Sequence, residues 1–205
     1  MNLNNGKIFI YQFIIAPEKA IQYILESRED EHIGISLFTL FLSIVFSILS
    51  SSVISLKKSI IDVYMSIGFV TYFLNFLGNL VVFLSVVFFI KSFSLSTEQR
   101  IEFEKRNLPY LLFKLFCLSY LPYFFAPVLS LISLFLSTEA GISIYFLLKI
   151  FLWLWTVSLQ VLIIRKVFRL KLMTSFILYI LPLIGILAFV FIKVLNLAIS
   201  FIALL

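Results

Sequence analysis

Long apolar runs separated by short polar and charged stretches dominate the pattern of the chain. A transmembrane helix needs about 20 mostly apolar residues. Five segments reach that length, at approximately residues 35–56, 63–90, 108–137, 142–164 and 172–205. The runs are continuous rather than alternating, and only helices and closed barrels satisfy the backbone in lipid. The pattern therefore predicts an all-α, polytopic membrane bundle of about five transmembrane helices.

Composition narrows the class further. Of the 205 residues, 62% are hydrophobic and 13% are charged, whereas soluble domains carry about 25% charged residues. So little polar surface cannot cover a water-soluble globule. The formal net charge is +6, and most of the basic residues lie between the apolar runs rather than on one soluble face. We therefore predict no nucleic-acid partner and interpret the basic residues as topology signals.

The N-terminal segment, residues 1–34, is too polar to span a bilayer. Pro17 can begin a helix, with Glu18 in its first turn. One face of that helix then carries Ala20, Ile21, Ile24 and Leu25. This pattern predicts a short amphipathic helix that lies on the membrane, and it is equally compatible with a helix packed on the ends of the spans. Residues 35–205 form the predicted transmembrane domain.

Basic residues in the loops indicate the orientation, because they are retained on the cytoplasmic side. Residues 1–34 hold three, the loop after the second span holds four, and the loop after the fourth holds Arg165, Lys166, Arg169 and Lys171. The opposite side has only Lys57 and Lys58. We therefore predict a cytoplasmic N-terminus and a C-terminus outside. The second cluster is also a candidate contact for anionic lipid headgroups, unless it acts only in setting topology.

Side chains that carry catalysis are scarce. The sequence has a single histidine, His32 in a charged stretch, and a single cysteine, Cys117 in an apolar run. It has no Cys/His cluster of the kind that zinc needs, no glycine-rich phosphate loop and no acidic residue deep in a predicted span. The sequence therefore predicts no catalytic, cofactor-binding or metal-binding residues, and a protein that is not an enzyme.

Three lysines lie within the apolar runs. Helical side chains lean toward the helix N-terminus, so we expect Lys114 and Lys149 to extend to the nearer membrane face. Lys193 leans into the membrane instead, and Asp62 at the start of the second span is its candidate partner in an ion pair. An unpaired ammonium there would cost about 2.5–3.5 kcal/mol on insertion scales.

Small and polar residues recur on two predicted helices. On the first span, Ser43 and Ser47 belong to a hydroxyl stripe with a mean spacing of about 3.5 residues that also includes Ser36, Thr39 and Ser50. On the second span the corresponding residues are Gly68, Thr71, Asn75, Gly78 and Asn79. Such residues allow membrane helices to approach closely, so we interpret both stripes as packing seams inside the bundle. A polar conduit for a solute is the alternative.

Two prolines lie five residues apart in the third span. Pro122 and Pro127 each remove a backbone donor and clash with the preceding turn, so this span is predicted to be kinked or broken. Broken helices form substrate sites in some transporters, although packing kinks are more common.

The order of these features resembles the Yip family, the Ypt/Rab-interacting five-span membrane proteins, in its short bacterial form. The resemblance rests on the opening at residues 16–20, on the third span with its Lys114 and Pro122, and on a fourth span with Trp153 and Trp155 that ends in the basic turn at 165–171. Pro182 in the fifth span completes it.

This resemblance implies five spans, a cytosolic N-terminus and a role in membrane organisation or trafficking, without catalytic residues, in a bacterial cytoplasmic membrane. The expected partners are membrane lipids and, through helix contacts, other membrane proteins or further copies of the chain. Eukaryotic relatives have longer cytosolic N-terminal regions that engage trafficking GTPases. Only about 34 residues precede the first span here, which argues against GTPase binding. The alternative function is that of a permease-like protein or transporter subunit that moves a small solute.

Overall fold

The structure of the protein is a computed structural model that describes residues 11–26, 33–55, 84, 87, 88, 108–136, 138–181, 184, 185, 188, 191 and 192. These residues form helices and turns, with no strand among them. We number the principal elements α1 (Pro17–Glu26), α2 (Ile33–Ser55), α3 (Leu108–Leu118), a 3-10 helix (Leu121–Phe125), α4 (Ala126–Leu134), α5 (Thr138–Val167) and α6 (Leu172–Leu181).

Three stretches are long and apolar enough to cross a membrane. They are Ile33–Ile54 in α2, Pro109–Leu134 across α3 and α4, and Ala140–Val167 in α5, with 22, 26 and 28 residues. At a rise of about 1.5 Å per residue, each exceeds the roughly 30 Å of a hydrocarbon core. Leu172–Leu181 is a shorter apolar helix. The helical membrane fold is therefore confirmed, whereas five spans stay a prediction because most of the second and the end of the fifth lie outside the described residues.

The three long stretches pack side by side. Helix α2 contacts α3, the 3-10 helix and α4, while α5 contacts the same three elements and α1. The buried core includes Leu112 and Leu115 of α3 and Ile163 and Ile164 of α5, which lie near the beginning of one span and the end of the other. Helices α3 and α5 therefore meet at the end of the bundle where the basic turn of α5 lies.

The third span is not one helix. Helix α3 ends at Leu118, a turn at Ser119 and Tyr120 follows, and the 3-10 helix leads into α4. Each proline lies in the first turn of its new element, where a missing N–H costs nothing. The Ala126 N–H donates to Tyr123 O. In a continuous α-helix the N–H of residue 127 would bond this carbonyl, but Pro127 has no N–H. The break therefore follows from the two prolines.

Candidate functional site

The N-terminal helix is docked on the bundle. Pro17 is the first residue of α1, and its fixed φ suits that position. Ala20, Ile21 and Ile24 are fully buried on one face of the helix. They share a core cluster with residues at the end of α5, and α1 contacts α5 directly. Of the two interpretations that the sequence left open, the helix packed on the span ends is the observed one.

An ionic contact accompanies this docking. Lys166 Nζ lies 2.8 Å and Arg165 Nη1 3.5 Å from the Glu18 carboxylate, with all three side chains partly exposed. The hydrogen bond and charge of Lys166 lower the pKa of Glu18 below its ordinary range, and Arg165 contributes in the same direction. Two of the four basic residues predicted to contact lipid therefore neutralise an acidic side chain of the protein.

The other two basic residues project from the end of α5. Arg169 adopts a left-handed φ of 52°, and the Leu170 N–H donates to Arg165 O at 3.0 Å. These two features define a Schellman motif, in which a left-handed residue terminates the helix. Leu170 packs partly buried against the core, while the side chains of Arg169 and Lys171 are exposed. The turn thus separates two paired basic residues from two exposed ones.

The hydroxyl stripe of α2 lies inside the bundle. All five of its members are at most 3% exposed. Ser50 Oγ lies 2.9 Å from Ala126 O and 3.1 Å from Tyr145 Oη, so it joins α2 to α4 and α5. A serine hydroxyl has one hydrogen, and a carbonyl oxygen can only accept. We therefore assign Ser50 as the donor to Ala126 O and Tyr145 as the donor to Ser50. Ser43 instead bonds within its own helix, to Leu40 O at 2.8 Å.

A small cavity lies at this seam. Ser47, Ser50, Tyr145 and Lys149 contribute to its lining, and its volume is about 10 Å³, which is about the space of one water molecule. Lys149 Nζ lies 5.6 Å from the centroid of the Tyr145 ring, one turn toward the helix N-terminus, as the leaning rule predicts. At this point the seam is packed rather than open to a solute.

Two further polar side chains are buried in the bundle. Lys114 and Gln160 are fully buried, so the expectation that Lys114 extends to the membrane face is wrong. The tendency of helical side chains to lean toward the helix N-terminus predicts their direction along the helix axis. It does not predict which side of the helix packs against its neighbours. Near the break in the third span, the rings of Tyr120 and Tyr123 lie 6.1 Å apart, centroid to centroid. Sequence reasoning missed Gln160, although an amide in an otherwise apolar run was a usable signal.

Several predicted residues cannot be placed. The Gly68–Asn79 stripe of the second span and the Asp62–Lys193 pair lie outside the described residues. Within the described part, no group of three or more His, Cys, Asp or Glu side chains could hold a metal ion. Cys117 is buried and free.

These features define the class of protein: an all-α bundle with apolar helices of membrane-spanning length, a docked amphipathic helix and an exposed basic turn. Comparisons with protein-family models, with curated proteins and with solved structures each give no match. Function therefore has to be inferred from the bundle itself.

Proposed function

We propose that the chain is a non-enzymatic, Yip-like integral membrane protein that acts in membrane organisation through helix contacts and contacts with anionic lipid. The observation that carries the proposal is the exposed pair Arg169 and Lys171 at the end of a membrane-length helix. A cation at the membrane surface attracts anionic headgroups with about 1 kcal/mol per residue. Five spans with the N-terminus in the cytoplasm would place this pair at the inner leaflet.

The docking of α1 indicates which of the four basic residues make the lipid contact. Arg165 and Lys166 already pair with Glu18, so a headgroup phosphate would compete with that carboxylate for them. Arg169 and Lys171 have exposed side chains and meet no such competition from Glu18. We therefore assign the main lipid contact to Arg169 and Lys171, and a weaker one to the two residues that hold α1.

Native mass spectrometry of the purified protein tests this assignment. The variant Arg169→Gly/Lys171→Gln removes the two exposed charges, and glycine retains the left-handed conformation of residue 169. We expect it to retain fewer phosphatidylglycerol molecules than the parent. Lys149→Gln, which removes one charge beside Tyr145 in the first half of α5, serves as the control and should retain the parental number. Equal retention by the double variant and the parent would refute the lipid contact.

A permease-like function is the second candidate. The observations that favour it are the broken third span and the buried Lys114 and Gln160, since polar side chains buried within membrane helices often mark pathways. The packed hydroxyl seam, with room for about one water molecule, weighs against it. A soluble solute that copurifies with the protein and is lost in Gln160→Leu would favour transport over the lipid-contact proposal.

A further inference from the structure

The segment before α1 continues its helical path. Residues 11–15 are helical, Ala16 N–H donates to Gln12 O at 2.8 Å, and Ala20 N–H donates to Ala16 O at 3.2 Å. Residues 11–26 therefore wind in nearly one helix across Pro17. Phe13 in the first part and Ile24 in the second are both fully buried, so the whole length rests on the bundle with one face.

The opposite face carries a ridge of four residues at a spacing of four. Tyr11, Ile15 and Tyr23 are 66%, 62% and 55% exposed, and Lys19 between them is exposed as well. Gln22 and Glu26 flank the ridge and bond to each other, with Gln22 Nε2 donating to Glu26 Oε1 at 3.0 Å. Three of the four ridge residues thus present large apolar or amphipathic side chains away from the protein.

The position of this ridge along the bundle coincides with the end of a span. Glu18, beside the ridge, pairs with Arg165 and Lys166, the first charges after the apolar run of α5. The buried face of the same helix lies in one cluster with Leu112 and Ile164, a turn or less inside the ends of their spans. The helix therefore lies at the level where hydrocarbon gives way to headgroups.

We propose that the ridge Tyr11–Ile15–Lys19–Tyr23 is seated in the headgroup layer of the protein's own bilayer. Tyrosines are enriched at that level because the ring is apolar and the hydroxyl is polar, and a lysine extends its ammonium to the phosphates. Among the described residues of α1 and the basic turn, there are five basic and two acidic side chains. This excess of positive charge suits an anionic surface. Of the two interpretations of the sequence, the one that laid this helix on the membrane placed the contact on its opposite, apolar face.

This inference does not require the lipid contact of Arg169 and Lys171. It concerns apolar insertion, which persists in a neutral bilayer, whereas the contact of those two cations depends on anionic lipid. The test therefore uses vesicles of phosphatidylcholine alone, so that either proposal can fail while the other stands.

Spin labels report the environment of the ridge. In a Cys117→Ala background, Tyr11→Cys and Ile15→Cys each receive one nitroxide, and its collisions with oxygen and with a water-soluble nickel chelate are compared. Phe151→Cys, 58% exposed within α5, is the lipid reference, and a soluble nitroxide is the water reference. Amphipathic helices seat their apolar face about 5–10 Å into the headgroup boundary. We therefore expect an oxygen-to-nickel ratio several-fold above the water reference and below that of Phe151→Cys.

A ratio equal to that of the soluble nitroxide would overturn the proposal. So would low access to both probes together with spin–spin broadening, since a second copy would then cover the ridge. Should a cysteine variant not fold, Ile15→Trp gives an independent readout. Lipids brominated near the headgroup should quench its added fluorescence above the baseline of Trp153 and Trp155, and an unquenched increment would equally overturn the proposal.

Discussion

The bond between helices at Ser50 allows a quantitative test of the hydroxyl seam. Ser50→Ala removes one oxygen and with it the bonds to Ala126 O and Tyr145 Oη, whereas the longer contact of Tyr145 Oη with Ser51 Oγ at 3.4 Å remains. Ser43→Ala removes the same group from the same buried stripe, but there the hydroxyl bonds only Leu40 O of its own helix. The pair of variants therefore differs chiefly in whether the lost bond joins two helices.

The expected magnitude is modest. Hydrogen bonds between membrane helices contribute about 0.6 kcal/mol on average and about 1.7 kcal/mol at most. The Ser50 hydroxyl has two partners on two other elements, so its removal breaks two bonds between helices at once. We therefore expect Ser50→Ala to lower the free energy of unfolding by about 1–2 kcal/mol. The carbonyl of Leu40 keeps its own helical bond in Ser43→Ala, so that loss should stay below about 0.5 kcal/mol.

Reversible unfolding in mixed micelles, or steric trapping in a bilayer, measures both variants. A double-mutant cycle of Ser50→Ala with Tyr145→Phe isolates the pair, and a coupling energy of about 0.5 kcal/mol or more is expected for residues in contact. Equal losses for the Ser50 and Ser43 variants, together with zero coupling, would refute the assignment of the stripe as an interhelical seam.

Three further predictions follow from the docked helix and the charge distribution. Ile24→Ala should destabilise the protein by about 2–5 kcal/mol, since Ile24 is fully buried; thermal unfolding measures this, and a loss as small as that of an exposed position would contradict the docking. Because the pKa of Glu18 is lowered, its ion pair contributes fully above the ordinary range of a carboxyl and is lost as the pH falls through the lowered pKa; α1–α5 crosslinking should decline on acidification in the parent and stay flat in Glu18→Gln. Reporter fusions after Asp30 and Leu205 should give opposite sides of the membrane, and the same side for both would refute an odd number of spans.

The periodic features of the fold were predictable from the sequence. Ser43 and Ser47 recur with a helical period, and a stripe of small polar residues in an apolar helix favours burial against a neighbour. Pro122 and Pro127 predict an interruption from backbone chemistry alone. Such features depend on residues within a few turns of one another, which is why they can be read from a single sequence.

Contacts between distant residues were not predictable in the same way. Ser50 bonds residues 76 and 95 positions away, and no local pattern specifies Ala126 or Tyr145 as its partner. The face of α1 that contains Ile21 would bury equally well in lipid or in protein, so hydrophobicity alone left its neighbour undecided. Lys114 illustrates the same limit, because its rotation about the helix axis depends on how α3 packs against its neighbours.

Substitutions at Arg169 allow its effect on the stability of the fold to be measured separately from its proposed lipid contact. A left-handed φ costs a residue with a Cβ roughly 1–2 kcal/mol, and Arg169 adopts φ 52°. Glycine removes that cost but loses about 0.5–1 kcal/mol of chain entropy on folding. Arg169→Gly should therefore raise the free energy of unfolding by roughly 0.5–1 kcal/mol relative to Arg169→Ala.

Both variants lack the guanidinium, so both should retain equally little anionic lipid in native mass spectrometry. Equal stabilities would show that residue 169 is not held in the left-handed conformation. Normal lipid retention by both would show that Arg169 makes no headgroup contact.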